Sequence, residues 1–541
     1  MKKIISLLMI SLNFIGCSKE ELTYVVEKPI NTDQTYSPEK VRPVLEQEQR
    51  KAFNFFYKGA CPTTGLALEG NNRGPVVTTG GTGFGLMALI TGAERNWITR
   101  DQAAEQTLKV VRFLGKCDRY KGVWSHWYNT DGTAHAFGDQ VNTGDVIETA
   151  LLMSGLLTAS EYYKYDNAVE KEICDSIASL WSSVDWNFYT NGQNVLHWLY
   201  YSNDNKFSLD IRGWHEGWIS YLFALAAPAP HNISDDVYQK GWLSDGGIYR
   251  PGREHYGYPL LIGEDKGGCM FFAHYSFLGL DPRVIEDSRV NYWQQNVCHT
   301  LINRHYCIED APKNFKYSEN VWGLTACYGA RAPEWEYKAR SPHNDDGVIA
   351  PTAALGSFPY TPFYSTQVLL NLASKSEFQG EYGFCDSFCL ETNTQEKRHL
   401  AIDQGPIVVM IENYRSGLIW NLFMKNEHVR KGLELAGVKS SPDYKEGFPL
   451  AIVNTKTKVY DMMMHPDREA YEIEYYSKAG GELKFELIDS TNKLIKTIKA
   501  DNNLQLSTLS FDDKDILKGK NYTLRMTTST NSQISIAVNL R

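Results

Sequence analysis

Four groups of acidic residues in this chain have neighbours suited to proton chemistry. Glu216 lies in "IRGWHEGW" (211–218), among two tryptophans, a histidine and an arginine, directly ahead of the apolar run "WISYLFALAA". A carboxyl beside Trp214 and Trp218 loses water, and that favours its neutral form. General acid catalysis requires a carboxylic acid that keeps its proton near neutral pH. The structural alternative is an ion pair with Arg212, at i, i+4 spacing. Asp403, in "AIDQGPIVVMIENY" (401–414), stands at the start of a helix, as an ordinary cap or as a second working carboxylate. In "GDVIETALL" (144–152), Asp145 and Glu148 fall on one face of a helix that reads as buried. Unpaired buried charge is costly, so these two acids either serve a site or sit in a solvated first turn that suits the helix dipole. "HNDDG" (343–347) brings Asp345 and Asp346 together but lacks the length and the downstream glutamate of a calcium loop.

Other chemistries find little support. "VVTTGGTGFG" (76–85) has neither dinucleotide spacing nor a following Gly-Lys-Ser/Thr, so its glycines read as close backbone approach to a ligand or a neighbouring helix. No G-x-S-x-G elbow and no H-E-x-x-H pair occurs, so neither acyl transfer nor a metal or other cofactor is expected. His126, His197, His215, His274 and His299 read as hydrogen-bonded core or pocket residues. Net charge is −9 with no basic run, which argues against a nucleic-acid partner. Aromatic residues make up 13% of the chain, including 13 Trp and 32 Tyr, a surplus that suits stacking on the C–H faces of sugar rings. Trp124, Trp127, Trp214 and Trp322 are the candidate platforms, each with a core role as the alternative.

The elements that must position these residues follow from the patterning. "MKKIISLLMISLNFIGCSKEE" reads as a lipoprotein signal (1–17) ending at Cys17, the lipidated first residue of the mature protein. That places the chain in a Gram-negative envelope, at the outer membrane and facing the periplasm or the surface. The membrane is touched through this anchor only, and a monomer is expected. The other nine cysteines read mainly as buried thiols. Residues 18–44, with Pro29, Pro38 and Pro43, read as a tether. From 45 to 452 the chain reads as roughly a dozen helices, some apolar all round and some amphipathic. Among them are 215–227, 288–304, 318–329, 360–373, 404–414 and 416–436, and Thr99 to Gln102 is a capping box. Such alternation predicts a mainly α fold, an (α/α)6 toroid of inner and outer helices with a pocket at one end of the ring. From 453 to 541 two-residue alternation broken by polar turns predicts a small β-sandwich, read as an accessory domain.

"TTGGTGFGLMAL", "GDVIETALLMSGLLTASEYY", "RGWHEGWISYLFALAAP", "GEDKGGCMFFAHYSFLGLDPR", "DDGVIAPTAALGSFPYTP", "GEYGFCDSF" and "AIDQGPIVVMIENYRSGLIWNLFM" run in this order through residues 45 to 440. Together they resemble the glycoamylase-like domain of glycoside hydrolase family 144, the endo-β-1,2-glucanases and their sophorose-releasing relatives. The resemblance implies an (α/α)6 toroid that hydrolyses β-1,2-linked glucan with inversion, Glu216 as general acid and Asp403 as the acid of the A-I-D-Q-G segment. It matches Asp145 and Glu148 to pocket carboxylates; with them, Arg212, Trp214, His215, Trp127, Trp322, Asp345 and Asp346 are the candidate substrate-binding residues. Two departures fall at the pocket: Val141 replaces the first acid of the family's D-x-x-x-D-x-x-E pattern, and Trp214-His215 replaces Tyr-Asn before the glutamate. They bear on linkage and on endo versus exo action. Inversion places the two catalytic carboxyls roughly 6.5–9.5 Å apart, or farther with a relay. A non-catalytic glycan-binding lipoprotein and a polysaccharide lyase remain as rivals, the lyase opposed by the acidic motifs.

Overall fold

The computed structural model describes residues 38–72, 74–137, 140–141, 144–165, 167–331, 336–440, 458–464, 470–476, 481–502, 507–512, 520–529, 531 and 533–540. The signal segment, Cys17 and the boundary at 452 lie outside the described residues.

Helices alternate between two layers. α1 (Pro38–Tyr57) is outer, α2 (Thr79–Glu94) inner, α3 (Arg100–Leu114) outer, α4 (Val146–Tyr162) inner, α5 (Ala168–Ser182) outer and α6 (Trp218–Ala226) inner. The short α7 (Asp235–Val237) leads through the π-turn Tyr238–Trp242 to an inner segment of two 3-10 turns, Met270–Ala273 and Ser276–Leu278. α8 (Tyr292–His305) packs outside that segment, then come inner α9 (Pro351–Leu355), outer α10 (Pro362–Ala373) and inner α11 (Ala401–Ser416), followed by α12 (Leu418–Phe423) and α13 (Glu427–Leu435). Burial explains the layering. α2 from Thr79 to Ala93, α4 nearly throughout and all of α6 are buried, as an inner ring requires, whereas α3 and α5 bury one face.

The inner ring closes. α2 packs on α4 and α11, α4 on α6, and α11 on α9. Ser276 Oγ donates to the Glu216 carbonyl at 2.9 Å, tying the 3-10 segment to the entry of α6. His274 Nε2 meets Ser357 Oγ at 2.9 Å, tying it to the end of α9. This is the alternation expected of an (α/α)6 ring.

Glycine sets the tightest joint. Gly80, Gly81, Gly83 and Gly85 are helical residues of α2, not a turn ahead of it as a glycine-rich loop would be. A Cβ on Gly83 would come within 2.7 Å of Leu152 Cα, so α2 and α4 meet backbone to backbone. Close approach to a neighbouring helix, one of the two that the spacing allowed, is realised here.

Other expectations meet the structure as follows. The Thr99 capping box forms on both sides, Gln102 N–H to Thr99 Oγ1 at 3.1 Å and Thr99 N–H to Gln102 Oε1 at 2.9 Å. α1 starts at Pro38, inside the stretch read as tether; Pro38 occupies the first helical position, where its missing N–H costs nothing. The helix expected over 318–329 does not form. Gly323 there has φ +122°, outside any helix, and Ala326–Tyr328 pairs as a strand with Tyr337–Ala339. Nine cysteines from Cys61 to Cys389 are buried free thiols.

The described tail strands form two sheets. Lys458–Met464, Ala470–Tyr476 and Ser507–Asp512 make one, and Leu494–Asn502, Gly481–Asp489, Lys520–Thr527 and Gln533–Leu540 the other, in that spatial order. Ile473 and Tyr475 of the first share an apolar cluster with Leu483, Phe485, Leu487, Leu524 and Met526 of the second.

Candidate active site

A cavity of about 350 Å³ opens at the N-terminal ends of the inner helices. Thr78 before α2, Glu148 in the first turn of α4, Glu216 just ahead of α6, Phe271 and Tyr275 of the 3-10 segment, and Ile402 in the first turn of α11 line it. Helix N-termini present free N–H groups and a partial positive charge, so this end of the ring is where buried carboxylates are best tolerated.

Glu148 shows the effect directly. Its Oε2 accepts the Gly80 N–H at 2.6 Å, a donor from the first turn of α2. Burial pushes its carboxyl up to about 7, His126 holds it down, and the charge of Asp145 pushes it up further. Asp145 caps α4 from below the cavity. One of its oxygens accepts the Glu148 N–H at 2.9 Å and the Trp198 indole N–H at 3.0 Å, and the other meets His126 Nδ1 at 2.7 Å. Burial opposes a charge on His126, but Glu148 and Asp145 outweigh it and raise the imidazole to about 9. His126 therefore stands in the wall as an imidazolium at neutral pH, stacked on Phe137 with ring centres 4.0 Å apart.

Glu216 faces the cavity, with Oε2 3.3 Å from His215 Nδ1, which also accepts the Gly217 N–H at 3.1 Å. Asp403 lies deeper, in the first turn of α11 and 2% exposed. Burial, together with the charge of the neighbouring Asp386 carboxyl, holds the Asp403 proton far above the ordinary range. Asp386 is also 2% exposed; burial pushes it up to about 7, while Asp403 and the Tyr328 N–H, 2.8 Å from its Oδ2, pull it down.

Comparison with known proteins places this constellation. The Glycoamylase family model matches residues 208–427, a span that includes both Glu216 and Asp403. The exo β-1,2-glucooligosaccharide sophorohydrolase of Parabacteroides distasonis is 39% identical over 435 residues. That match takes in 75% of this chain, which spans only 60% of the relative's own length. The structure of the endo-β-1,2-glucanase from Chitinophaga pinensis, in complex with sophorotriose and glucose, is 40% identical with a TM-score of 0.70, over 74% of this chain and 99% of that one. The chain belongs to glycoside hydrolase family 144. An endo-β-1,2-glucanase from Talaromyces funiculosus shares the fold at 12% identity, with a TM-score of 0.52 over 76% of this chain and 94% of that one.

In this family-144 chain the residues expected from sequence separate into wall, support and core. Glu216, Glu148 and Trp127 are on the wall; Asp403 is behind it. Asp145 is fully buried and supports His126 and Glu148, so its place is beneath the pocket and not on its surface. His215 supports Glu216. Arg212 turns outward, its Nε 3.1 Å from Asp210 Oδ2 and its Nη1 on the Lys240 carbonyl, so the i, i+4 pair with Glu216 is not made. Trp214 and Trp218 both stack on Tyr292 in the core, and neither shields Glu216 from the cavity side. Trp124 and Trp322 are fully buried. Asp345 receives the Tyr317 hydroxyl at 2.8 Å and the Gly347 N–H at 3.0 Å, and Asp346 pairs with Arg340 at 2.6 Å; both brace the 340s loop and neither lines the cavity.

Sequence reasoning missed Glu69, Trp198 and Asp386. Glu69 and Trp198 line the cavity. Their segments carry no periodic signal. Asp386 had one: it is the lone acid in "GFCDSFC", a run otherwise apolar or small. No group of three or more acidic, histidine or cysteine side chains suited to a metal occurs among the described residues.

Proposed function

We propose that this chain hydrolyses β-1,2-linked glucan with inversion at the anomeric carbon. Glu216 gives its proton to the glycosidic oxygen as the bond breaks. Water, activated from the Asp403 side, attacks the opposite face of the sugar, which requires the two carboxyls to stand roughly 6.5–9.5 Å apart or farther if a relay intervenes. The observation that carries this reading is that Glu216 and Glu148 line one cavity at the N-terminal ends of inner helices, with Asp403 buried behind the same wall in the first turn of α11. Family membership and the β-1,2-glucan activities of the Parabacteroides and Chitinophaga relatives support the linkage. Trp127, Trp198 and Phe271 on the wall offer stacking faces for glucose rings.

The reading extends to the rest of the chain. Cys17 anchors the enzyme as a lipoprotein of the outer membrane after removal of residues 1–16, residues ahead of α1 tether it, and it acts as a monomer. The two tail sheets form a β-sandwich that serves as an accessory domain.

Product analysis tests the proposal. Linear β-1,2-glucan should be cut, with β-1,3 and α-1,4 glucans untouched, and Glu216→Gln should stop hydrolysis while leaving fold and glucan binding in place. A general acid contributes roughly 10²–10⁴-fold, so full activity in that variant removes Glu216 from the role.

A further inference from the structure

We propose that Asp386 is a positioning residue that acts through Asp403: the two carboxyls share one proton, and water gives its proton to Asp403 as the proton already on Asp403 passes to Asp386. This rests on the reading of Asp403 as the water-activating group. The step balances. Water loses one proton and its oxygen forms the new bond to the anomeric carbon. Asp403 gains one proton and releases another, Asp386 changes from carboxylate to acid, and the leaving oxygen takes the Glu216 proton. Exchange with solvent then resets both acids.

Geometry assigns the places within the pair. Asp386 Oδ1 and Asp403 Oδ2 are both buried, and among the described residues no N–H or O–H reaches either atom. Two neighbouring buried carboxyls are costly to ionise together, and a proton shared between them answers both vacancies. The remaining Asp386 oxygen accepts the Tyr328 N–H at 2.8 Å, which favours charge on Asp386 and leaves the proton on Asp403. The surroundings agree. Facing Asp403 are Glu69, Tyr275, Tyr337 and Cys327, which bring no cation. Facing Asp386 are Cys385, Cys327, Tyr337, Glu396 and Arg398, and the arginine is held at 3.0 Å by Glu396 while it stacks on the Tyr328 ring. Among the described residues, Arg398 is a cation that favours an anion, and it acts on Asp386.

Asp386→Asn separates this relay from its rivals. The amide oxygen still accepts the Tyr328 N–H, so the fold is kept, but an amide cannot take up the proton. The expected result is a loss of kcat on β-1,2-glucan on the order of 10²-fold or more. KM should be unchanged, no recovery should appear at any pH, and Asp386→Glu should rescue in part. If Asp403 alone is the base, the Asn variant stays active and its acidic limb moves to lower pH, because the charge that kept Asp403 protonated is gone; that result overturns the proposal. Glu216→Gln in the same assay separates the two readings. Full activity there sinks the hydrolytic reading, whereas an inactive Gln variant beside an active Asn variant sinks the relay alone. Should the Asn variant fail to fold, infrared difference spectra of the wild type against Asp403→Asn give the second reading. A protonated-carboxyl band at neutral pH in the wild type, absent from Asp403→Asn, is expected, and its absence from the wild type overturns the relay.

Discussion

Gly155→Ala tests whether the closeness of α2 and α4 holds the acidic wall in place. A Cβ on Gly155 would lie 2.6 Å from both the Cα and the carbonyl carbon of Gly83, and nearer still to the Gly83 oxygen. Contacts under 3.0 Å force something to shift, and here the obstacle is backbone on both sides. The helices must part by several tenths of an ångström to about 1 Å, a cost at or above the top of the usual 1–3 kcal/mol for overpacking. The movement reaches the site, because Gly80, three residues before Gly83, donates to Glu148 at 2.6 Å. Lengthening that bond by about 1 Å abolishes it. Glu148 then loses the Gly80 donor that favours its charge, and its proton is held above about 7. Thermal unfolding should show a lower Tm, and glucan affinity should fall at neutral pH. Gly115→Ala is the control, with φ −66° and no atom closer than 3.6 Å to the added carbon, and should change stability by no more than about 0.5 kcal/mol. An unchanged Tm and unchanged affinity in Gly155→Ala would refute the packing argument.

Three further outcomes follow from the buried charges. His126 is raised from 6.5 to about 9, so its contribution to stability is fully present below pH 6.5 and is lost as pH rises through 9. That contribution is at most roughly 3 kcal/mol, and His126→Gln should flatten stability-versus-pH curves over this window. Glu148, raised from 4.5 to about 7, keeps its proton longer in the folded state, so it lowers stability as pH rises from 4.5 through 7; Glu148→Gln should remove that slope. Arg95 holds the buried Glu412 with two bonds, at 2.7 and 2.9 Å, and Arg95→Ala should cost about 3–5 kcal/mol in denaturant titration, whereas Arg112→Ala, in an exposed pair with Glu172, should leave the unfolding midpoint nearly unchanged.

Much of the inner ring was legible because buried helices leave long apolar runs: α2, α4, α6 and α11 follow from composition alone. Glu216, Glu148 and Asp403 stood out because an acid beside such a run demands a partner or a task. The stretch at 318–329 misled because "VWGLTACY" is as apolar as a helix, and only the positive φ of Gly323 and pairing with Tyr337–Ala339 reveal an irregular strand. Trp214 misled for a related reason. Residues 214 and 218 share one side of the α6 entry, and that side faces Tyr292 in the core, so proximity to Glu216 in sequence did not become contact in space. Asp145 shows how spacing identifies a group without assigning its task. Its three donors use it as a support, a distinction that depends on Trp198 and His126, distant from it in the chain. Asp386 left a signal as the lone acid in "GFCDSFC", but its task was not legible, because that comes from Asp403, seventeen residues later and on another element.

The anomeric form of the first products tests the hydrolytic mechanism most directly. Proton NMR of fresh digests of linear β-1,2-glucan should show α-anomeric reducing ends appearing first and equilibrating later, with no signal from Glu216→Gln over the same time. Initial release of the β-anomer would mean retention and a carboxyl spacing near 5 Å, and would contradict the assignment of Glu216 and the Asp403–Asp386 pair to opposite faces of the sugar.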